Sequence, residues 1–196
     1  MTGWQKNDCK TYYLETDGFK QLGLVKVADK TYYFVENGKK KTGFIKTEEK
    51  TYYLKDGILT PNIAVIDGKK FFIDNEGNRS VGWKKIDGDW YYFSKEDGMK
   101  TGWLKDGSWY YLDETGVMRT GWKLVDGKWY YLNNSGAMKT GWLNQSGTWY
   151  YLDGSGAMKT GWFQVDGKWY YAYSSGALAV STTINGYTVN ANGEWV

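Results

Sequence analysis

The sequence predicts an all-β protein, a β-hairpin solenoid of nine repeats of about 20 residues followed by a C-terminal tail. Gly-Trp pairs recur every 19 or 20 residues from Gly82-Trp83 to Gly161-Trp162, and a Trp-Tyr-Tyr triplet follows each pair. Of the 12 Trp residues, 11 occupy these two repeat positions. Such regularity indicates units that stack on their neighbours, in place of one central core.

Each repeat has the pattern of a β-hairpin. Asp87-Gly88 is the predicted turn of one such hairpin. A type I′ turn needs positive φ at both central residues, and Asp-Gly tolerates this. A two-residue turn there places Trp83 opposite Tyr92. Strand alternation then puts both Trp positions and the third ring of the triplet on one face. The middle ring, Tyr91, lies on the other face, where we expect it to belong to the core.

Composition excludes several classes of function. The chain has no His, so a Ser-His-Asp hydrolase and a His-ligated zinc site are excluded, and one Cys cannot form an intrachain disulfide. No phosphate loop or nucleophile–base pair is recognisable, so we expect neither an enzyme nor a cofactor. A net charge of +3 does not argue for nucleic acid. No apolar run approaches the roughly 20 residues of a membrane span, so we expect no membrane insertion.

The aromatic columns also suggest a ligand. Leu or Ile would satisfy a core, yet Trp is kept at both positions through five repeats. The four methionines after Met1 share a third repeat position, four residues before the next Trp. Tryptophan faces are the best cation–π partners in proteins, and cages of two or three rings suit quaternary ammonium groups.

These motifs resemble a known family. Gly-Trp, Trp-Tyr-Tyr and the heptapeptide Gly-Ala-Met-Lys-Thr-Gly-Trp at residues 136–142 and 156–162 are similar to the choline-binding repeats of Gram-positive surface proteins. The resemblance implies a non-catalytic module that binds choline or phosphocholine on teichoic and lipoteichoic acids. It also implies an extracellular, cell-wall-attached location and an adhesion role, and we expect no export signal within this chain. The alternative is a glucan-type polysaccharide-binding module.

The resemblance further implies sites between consecutive repeats. In the family, two Trp and a Met come from one repeat and a tyrosine comes from the next. Carried over, the four sites are Trp83, Trp90, Met99 and Tyr111; Trp103, Trp109, Met118 and Tyr131; Trp122, Trp129, Met138 and Tyr151; and Trp142, Trp149, Met158 and Tyr171. A fifth, weaker site would combine Trp162, Trp169, Leu178 and Tyr187.

The first repeats depart from this pattern. We divide the solenoid into degenerate repeats at residues 1–80, consensus repeats at 81–180 and a capping tail at 181–196. Thr or Lys replaces the second Trp in the degenerate repeats. The methionine position there is mostly occupied by a cation, which would repel a cationic ligand. We therefore expect no choline there, and interpret these repeats as spacers or as a surface for a host or bacterial protein. The residues at the methionine position are Lys20, Lys40, Leu59 and Arg79.

Overall fold

The computed structural model describes residues 2–7, 9–48 and 50–196 and places 23 β-strands in them. The all-β fold of repeated hairpins is therefore confirmed. Within the described ranges, no helix has the length and apolar character that a membrane crossing needs. The chain forms two compact units, residues 1–100 and 101–196.

The first unit contains five hairpins, joined in part by short extra strands. The strand β7 (Ile58–Leu59) pairs with β4 (Lys30–Phe34) and β6 (Thr51–Lys55), so the second and third hairpins share one five-stranded sheet. The strands are β1 (Gly3–Asn7), β2 (Lys10–Leu14), β3 (Gly23–Val27), β4 (Lys30–Phe34), β5 (Gly43–Lys46), β6 (Thr51–Lys55), β7 (Ile58–Leu59), β8 (Asn62–Ile66), β9 (Lys69–Ile73), β10 (Arg79–Ser80), β11 (Gly82–Ile86), β12 (Asp89–Ser94) and β13 (Gly98–Met99).

The second unit contains five two-stranded hairpins in sequence order. Four are consensus repeats, and the fifth is a shorter hairpin in the tail. The strands are β14 (Gly102–Asp106), β15 (Ser108–Leu112), β16 (Gly121–Val125), β17 (Lys128–Leu132), β18 (Gly141–Gln145), β19 (Thr148–Leu152), β20 (Gly161–Val165), β21 (Lys168–Ala172), β22 (Thr182–Ile184) and β23 (Tyr187–Val189).

The predicted hairpin register is confirmed. Trp83 lies opposite Tyr92 in the β11–β12 pair. The shorter repeat keeps the same pairing, with Trp103 opposite Tyr111. The turn residues Asp87 and Gly88 both have positive φ, at 51° and 99°, as a type I′ turn requires.

The buried column of the second unit differs from the expected one. The residue after each Trp-Tyr-Tyr triplet is fully buried: Leu112, Leu132 and Leu152 have no exposed surface. The middle tyrosine of the triplet, expected in the core, is half-buried at Tyr130 and Tyr150 and fully buried only in the last repeat. The smaller leucine is enclosed, and the longer tyrosine reaches the tryptophan of the preceding hairpin, as Tyr130 reaches Trp103.

A return segment follows each hairpin and carries the third repeat position. Met118 forms a β-bridge with Leu112, and Met138 forms the same bridge with Leu132. The tail repeats this arrangement, since Trp195 bridges to Val189. The backbone at the methionine position is thus fixed in the same way after every hairpin of the second unit.

Candidate ligand-binding site

Each hairpin of the second unit presents two unlike faces. We call the face with both tryptophans the front face and the face with the middle tyrosine the back face. In β14–β15, Trp103 packs edge-on against Tyr111, with ring centroids 5.2 Å apart. Trp109 stands at 90° to Trp103, 6.4 Å away, so the two indoles form a corner.

The back face of the following hairpin closes this corner. The ring of Tyr130 lies 4.8 Å from Trp103 in an edge-to-face arrangement. The N–H of Met138 donates to the carbonyl oxygen of Trp109 at 2.7 Å, which fixes the methionine beside the indoles. Trp103, Trp109, Tyr130, Met138 and Ser155 line a cavity of about 220 Å³. This is below the roughly 300–1,000 Å³ of a drug-sized site, so it fits a small head group.

The same arrangement recurs at the next tryptophan pair. The ring of Tyr150 lies 4.9 Å from that of Trp122. The N–H of Met158 donates to the carbonyl oxygen of Trp129 at 2.8 Å. The second pair is therefore framed by a tyrosine and a methionine from the following repeat, as the first pair is.

The third pair has a more polar pocket. Trp142 contacts Tyr170 at 4.9 Å, and the N–H of Leu178 donates to the carbonyl oxygen of Trp149 at 2.8 Å. Here Leu178 takes the place of methionine. Asn192 and Glu194 of the tail also line this cavity of about 340 Å³.

The fourth pair is enclosed by the tail. Tyr187 lies 5.7 Å from Trp162, and the N–H of Trp195 donates to the carbonyl oxygen of Trp169 at 2.9 Å. These four aromatic residues line a cavity of about 320 Å³. The predicted group of Trp162, Trp169 and Tyr187 is thus brought together, while Leu178 belongs to the preceding pocket. Trp195 closes the pocket with a fourth ring, at the place where Leu178 was expected.

The predicted grouping needs correction at the tyrosine. Tyr131 lies across from Trp122 in its own hairpin, on the front face, and therefore points away from Trp103. Tyr130 occupies the back face and meets Trp103. The same correction replaces the other predicted tyrosines of the second unit, Tyr151 and Tyr171, by Tyr150 and Tyr170.

The methionine assignment is also offset by one repeat. Met118 was grouped with Trp103 and Trp109, but Met138 lines that pocket. Likewise Met158, and not Met138, bonds to Trp129, and Leu178, not Met158, bonds to Trp149. The reason is that each return segment runs beside the hairpin that precedes its own. Its methionine therefore completes the pocket of that preceding hairpin.

The first predicted site remains a prediction in part. Trp83 packs on Tyr92 at 5.3 Å within its own hairpin, as the register requires. Met99 lies in β13, beside the preceding strand β9, where a Cβ at Gly98 would come within 2.2 Å of the carbonyl oxygen of Lys70. Met99 is therefore offset in the same direction as the later methionines. Tyr111 belongs to the second unit, so its grouping with Trp83 and Trp90 is not tested.

The second tryptophan of every pair keeps part of its ring open to solvent. Trp109, Trp129, Trp149 and Trp169 are 42%, 42%, 45% and 42% exposed. A cation of the chain already stands near one of them, because the Nζ of Lys105 lies 5.6 Å from the ring of Trp109. Burying an aromatic ring is favourable, so the repeated exposure of the largest side chain indicates a surface kept for a ligand.

The tail also contributes charge to the third pocket. Glu194 accepts a hydrogen bond from Lys168 at 2.6 Å and another from the side-chain amide of Asn190. The Lys168 bond is the main cause that lowers the pKa of Glu194, so this carboxylate is ionised at neutral pH. Within the described residues, no cluster of acidic or Cys side chains could hold a metal ion.

Sequence comparison identifies the repeats. Residues 80–120 and 119–160 match the choline-binding repeat, and residues 2–18 and 160–178 match a putative cell wall binding repeat. CbpJ from Streptococcus pneumoniae TIGR4 is 34% identical, with 100% of this chain and 94% of CbpJ covered and a TM-score of 0.70. The chain belongs to the choline-binding repeat family. The predicted family and the repeat-solenoid fold class are thereby confirmed.

Other solved structures agree with this membership. Choline-binding protein F from Streptococcus pneumoniae is 33% identical, with 99% of this chain and 98% of that protein covered and a TM-score of 0.61. A structure of CbpF in complex with ipratropium is similar at 34% identity and a TM-score of 0.61, covering 100% of this chain and 92% of that one. No curated protein matches this choline-binding chain. Its cell-wall binding repeats indicate attachment at the cell surface.

Sequence reasoning missed Trp195 as part of a pocket, although a signal was present. Gly193-Glu194-Trp195 has the same spacing as Gly136-Ala137-Met138, with a glycine two residues before the pocket residue. Gly193 and Gly136 have nearly equal positive φ values, 78° and 83°. The tail of this choline-binding protein thus contains a shortened repeat that keeps the pocket residue.

Proposed function

We propose that this chain is a non-catalytic surface module that binds choline groups of teichoic and lipoteichoic acids and thereby anchors the protein to the cell wall. The observation that supports it is the row of four tryptophan pairs in the second unit. In each pair one indole stays about two-fifths exposed while the following repeat supplies an aromatic ring. An indole corner of this kind offers two π faces to a cation that has no hydrogen to donate.

Repetition supplies the affinity. Each ring contributes about 0.5–2 kcal/mol to binding a cation, so three rings reach only the roughly 4 kcal/mol of millimolar affinity. Teichoic acids are polymers that carry many choline groups. Simultaneous occupation of several linked sites raises the overall affinity by about 100- to 10,000-fold over one site.

A glucan-type ligand is the second candidate, and one observation favours it. The pocket of Trp142 and Trp149 also contains Asn192 and Glu194. The Asn192 amide can donate hydrogen bonds to sugar hydroxyls and accept them, and the Glu194 carboxylate can accept them. The cavities at Trp103–Trp109 and at Trp162–Trp169 are lined mainly by apolar atoms. We therefore assign choline to the row as a whole and regard the polar pocket as the place where a sugar would bind first.

The decisive experiment is competitive elution from a quaternary-amine resin, with calorimetry alongside. We expect the protein to be retained and to elute with free choline, while glucose or dextran at the same concentration elutes nothing. Elution by sugar, or calorimetric heats with dextran and none with choline, would reject the choline assignment. Adhesion and a protein partner for the first repeats stay predictions.

A further inference from the structure

Two repeats of the first unit place a lysine, Lys20 or Lys40, at the position that methionine holds in the second unit. The N–H of Lys40 donates to the carbonyl oxygen of Thr11 at 2.9 Å, just as Met138 does to Trp109. Lys40 also bridges to Phe34 at the end of its strand, as Met138 bridges to Leu132. The backbone is therefore the same in the two units, and the side chain is what differs.

The side chain of Lys40 enters an aromatic corner. Trp4 and Tyr32 lie edge to face with centroids 4.7 Å apart, which repeats the contact of Trp103 with Tyr130. The Nζ of Lys40 lies 5.7 Å from both ring centroids. This is within the roughly 6 Å over which a ring attracts a cation.

Both ends of the Lys40 side chain are held. Its Nζ donates to the carbonyl oxygen of Asp56 at 3.3 Å. Its methylene stem runs beside Gly57, where a Cβ would lie 2.7 Å from Cδ and Cε. Gly156 leaves the same room for Met138, since a Cβ there would lie 2.3 Å from the sulfur. Lys40 thus uses the methionine slot and extends from it to the rings.

The other two cations at this position reach a single ring each. Lys20 stands 4.4 Å from the ring of Tyr12, and the guanidinium carbon of Arg79 stands 4.2 Å from that of Phe71. Of the three, Lys40 is the one that contacts rings of two hairpins, including a Gly-Trp tryptophan. Its site most resembles a pocket of the second unit.

We propose that Lys40 acts as a built-in cation of the Trp4–Tyr32 pocket and excludes free quaternary ammonium ligands from it. This inference rests on the proposed choline function. A second cation would have to displace the ammonium or lie next to it, where like charges repel. The pocket also lacks its second indole, because Thr11 stands where Trp109 stands in the second unit. Lys40 and Thr11 together therefore determine the specificity of this pocket.

The test is choline calorimetry on the full chain. We expect T11W/K40M to bind one more choline per chain than the wild type. T11W alone, and the control T11W/K39M, should keep the wild-type number, because Lys39 is exposed and adjacent to Lys40. An additional choline in T11W, or none in a T11W/K40M protein with wild-type circular dichroism, would overturn the inference. If the wild type binds no choline, the proposed function fails first.

A second measurement does not depend on choline or on a folded double variant. In the wild-type protein, amine acylation followed by peptide mass spectrometry should modify Lys40 several-fold more slowly than its exposed neighbours Lys39 and Lys41. Trp4→Ala should remove most of this protection and leave the neighbours unchanged. Equal acylation rates for the three lysines in the wild type would show that Lys40 is not held in the pocket.

Discussion

Three repeats of the first unit differ from the repeats of the second in the side chain that they place at one position of the same hairpin scaffold. In the second unit the return segment supplies an apolar residue, such as Met138, and the pocket stays open to a ligand. In three repeats of the first unit the same segment supplies a cation, such as Lys40, which already lies on the rings. Binding chemistry in this fold therefore depends on one or two side chains per repeat, while stacking does not depend on them.

The third hairpin shows how far a pocket position can change. Its counterpart of the second tryptophan is Thr51, and Arg79 holds the methionine position. The cavity there, of about 320 Å³, is lined by charged residues that include Lys46 and Asp67. At the equivalent place in β14–β15 the cavity is aromatic. The scaffold tolerates both, because the buried column behind the pockets stays apolar in every one of these repeats, as at Leu54, Ile73 and Leu112.

The largest expected effect concerns that buried column. Leu132→Ala should lower the free energy of unfolding by about 2–5 kcal/mol, since Leu132 has no exposed surface and its removal leaves a cavity. Urea unfolding followed by tryptophan fluorescence measures it. The control is Leu124→Ala on the same hairpin, which is half exposed and should cost less than about 0.5 kcal/mol. Equal losses in both variants would mean that the pockets, not this column, stabilise the unit.

The next prediction separates pocket from scaffold. Trp129→Ala should remove one choline per chain and leave circular dichroism unchanged, because the indole is 42% exposed and lies beside Met158 of the following repeat. Its neighbour Lys128→Ala should bind choline like the wild type. Thr11→Ala, at the equivalent place in the first unit, should also leave the stoichiometry unchanged. Calorimetric stoichiometry distinguishes them, and a loss of choline in Thr11→Ala would contradict the difference between the units.

The tail pocket gives a third test. Trp195→Ala removes one of the four rings of the last pocket, which should weaken that site by about 0.5–2 kcal/mol, the contribution of one cation–π contact. The adjacent Val196→Ala, on an exposed terminal residue, serves as the control. Titration of the Trp162 environment by choline, followed by ring-proton NMR, measures the site. Unchanged binding would show that the tail ring does not face the ligand.

The smallest expected effect is one of pH. Burial raises the pKa of Asp153. Hydrogen bonds from the hydroxyl and N–H of Ser155 and from the N–H of Ala157 lower this pKa by more than burial raises it, so the net shift is downward. The ionised Asp153 carboxylate therefore stabilises the folded protein above its pKa in the unfolded chain, near 3.9. This contribution is lost as the pH falls through the lower pKa of Asp153 in the folded protein. Asp153→Asn, which copies Asn133 of the preceding repeat, should flatten the stability profile below about pH 4. A profile unchanged from the wild type would contradict this.

Choline retention should behave differently from stability. The chain has no His, and imidazole is the side chain whose ordinary pKa lies between pH 5 and 8. Retention on the amine resin should therefore stay constant from about pH 5.5 to 8. A marked change over this range would contradict recognition by aromatic rings alone.

The hairpins and their register could be predicted from sequence because turn chemistry acts locally. Asp-Gly fixes the turn, and the turn then fixes which residues face each other, as Trp83 and Tyr92 show. The closing ring of each pocket could not be predicted in this way. Whether Tyr130 or Tyr131 meets Trp103 depends on which face of the next hairpin turns back, and strand periodicity does not specify it.

Because every pocket lies between two successive hairpins, a row of hairpins always has one front face left over at its end. Tyr187 and Trp195 supply a partial hairpin that uses this last face. Each stretch such as residues 141–160 carries the back of one pocket and the front of the next. Duplicating that stretch would therefore add one complete pocket without any new sequence. If the pockets bind choline as proposed, duplication alone would raise the number of contacts that the protein makes with a polymer.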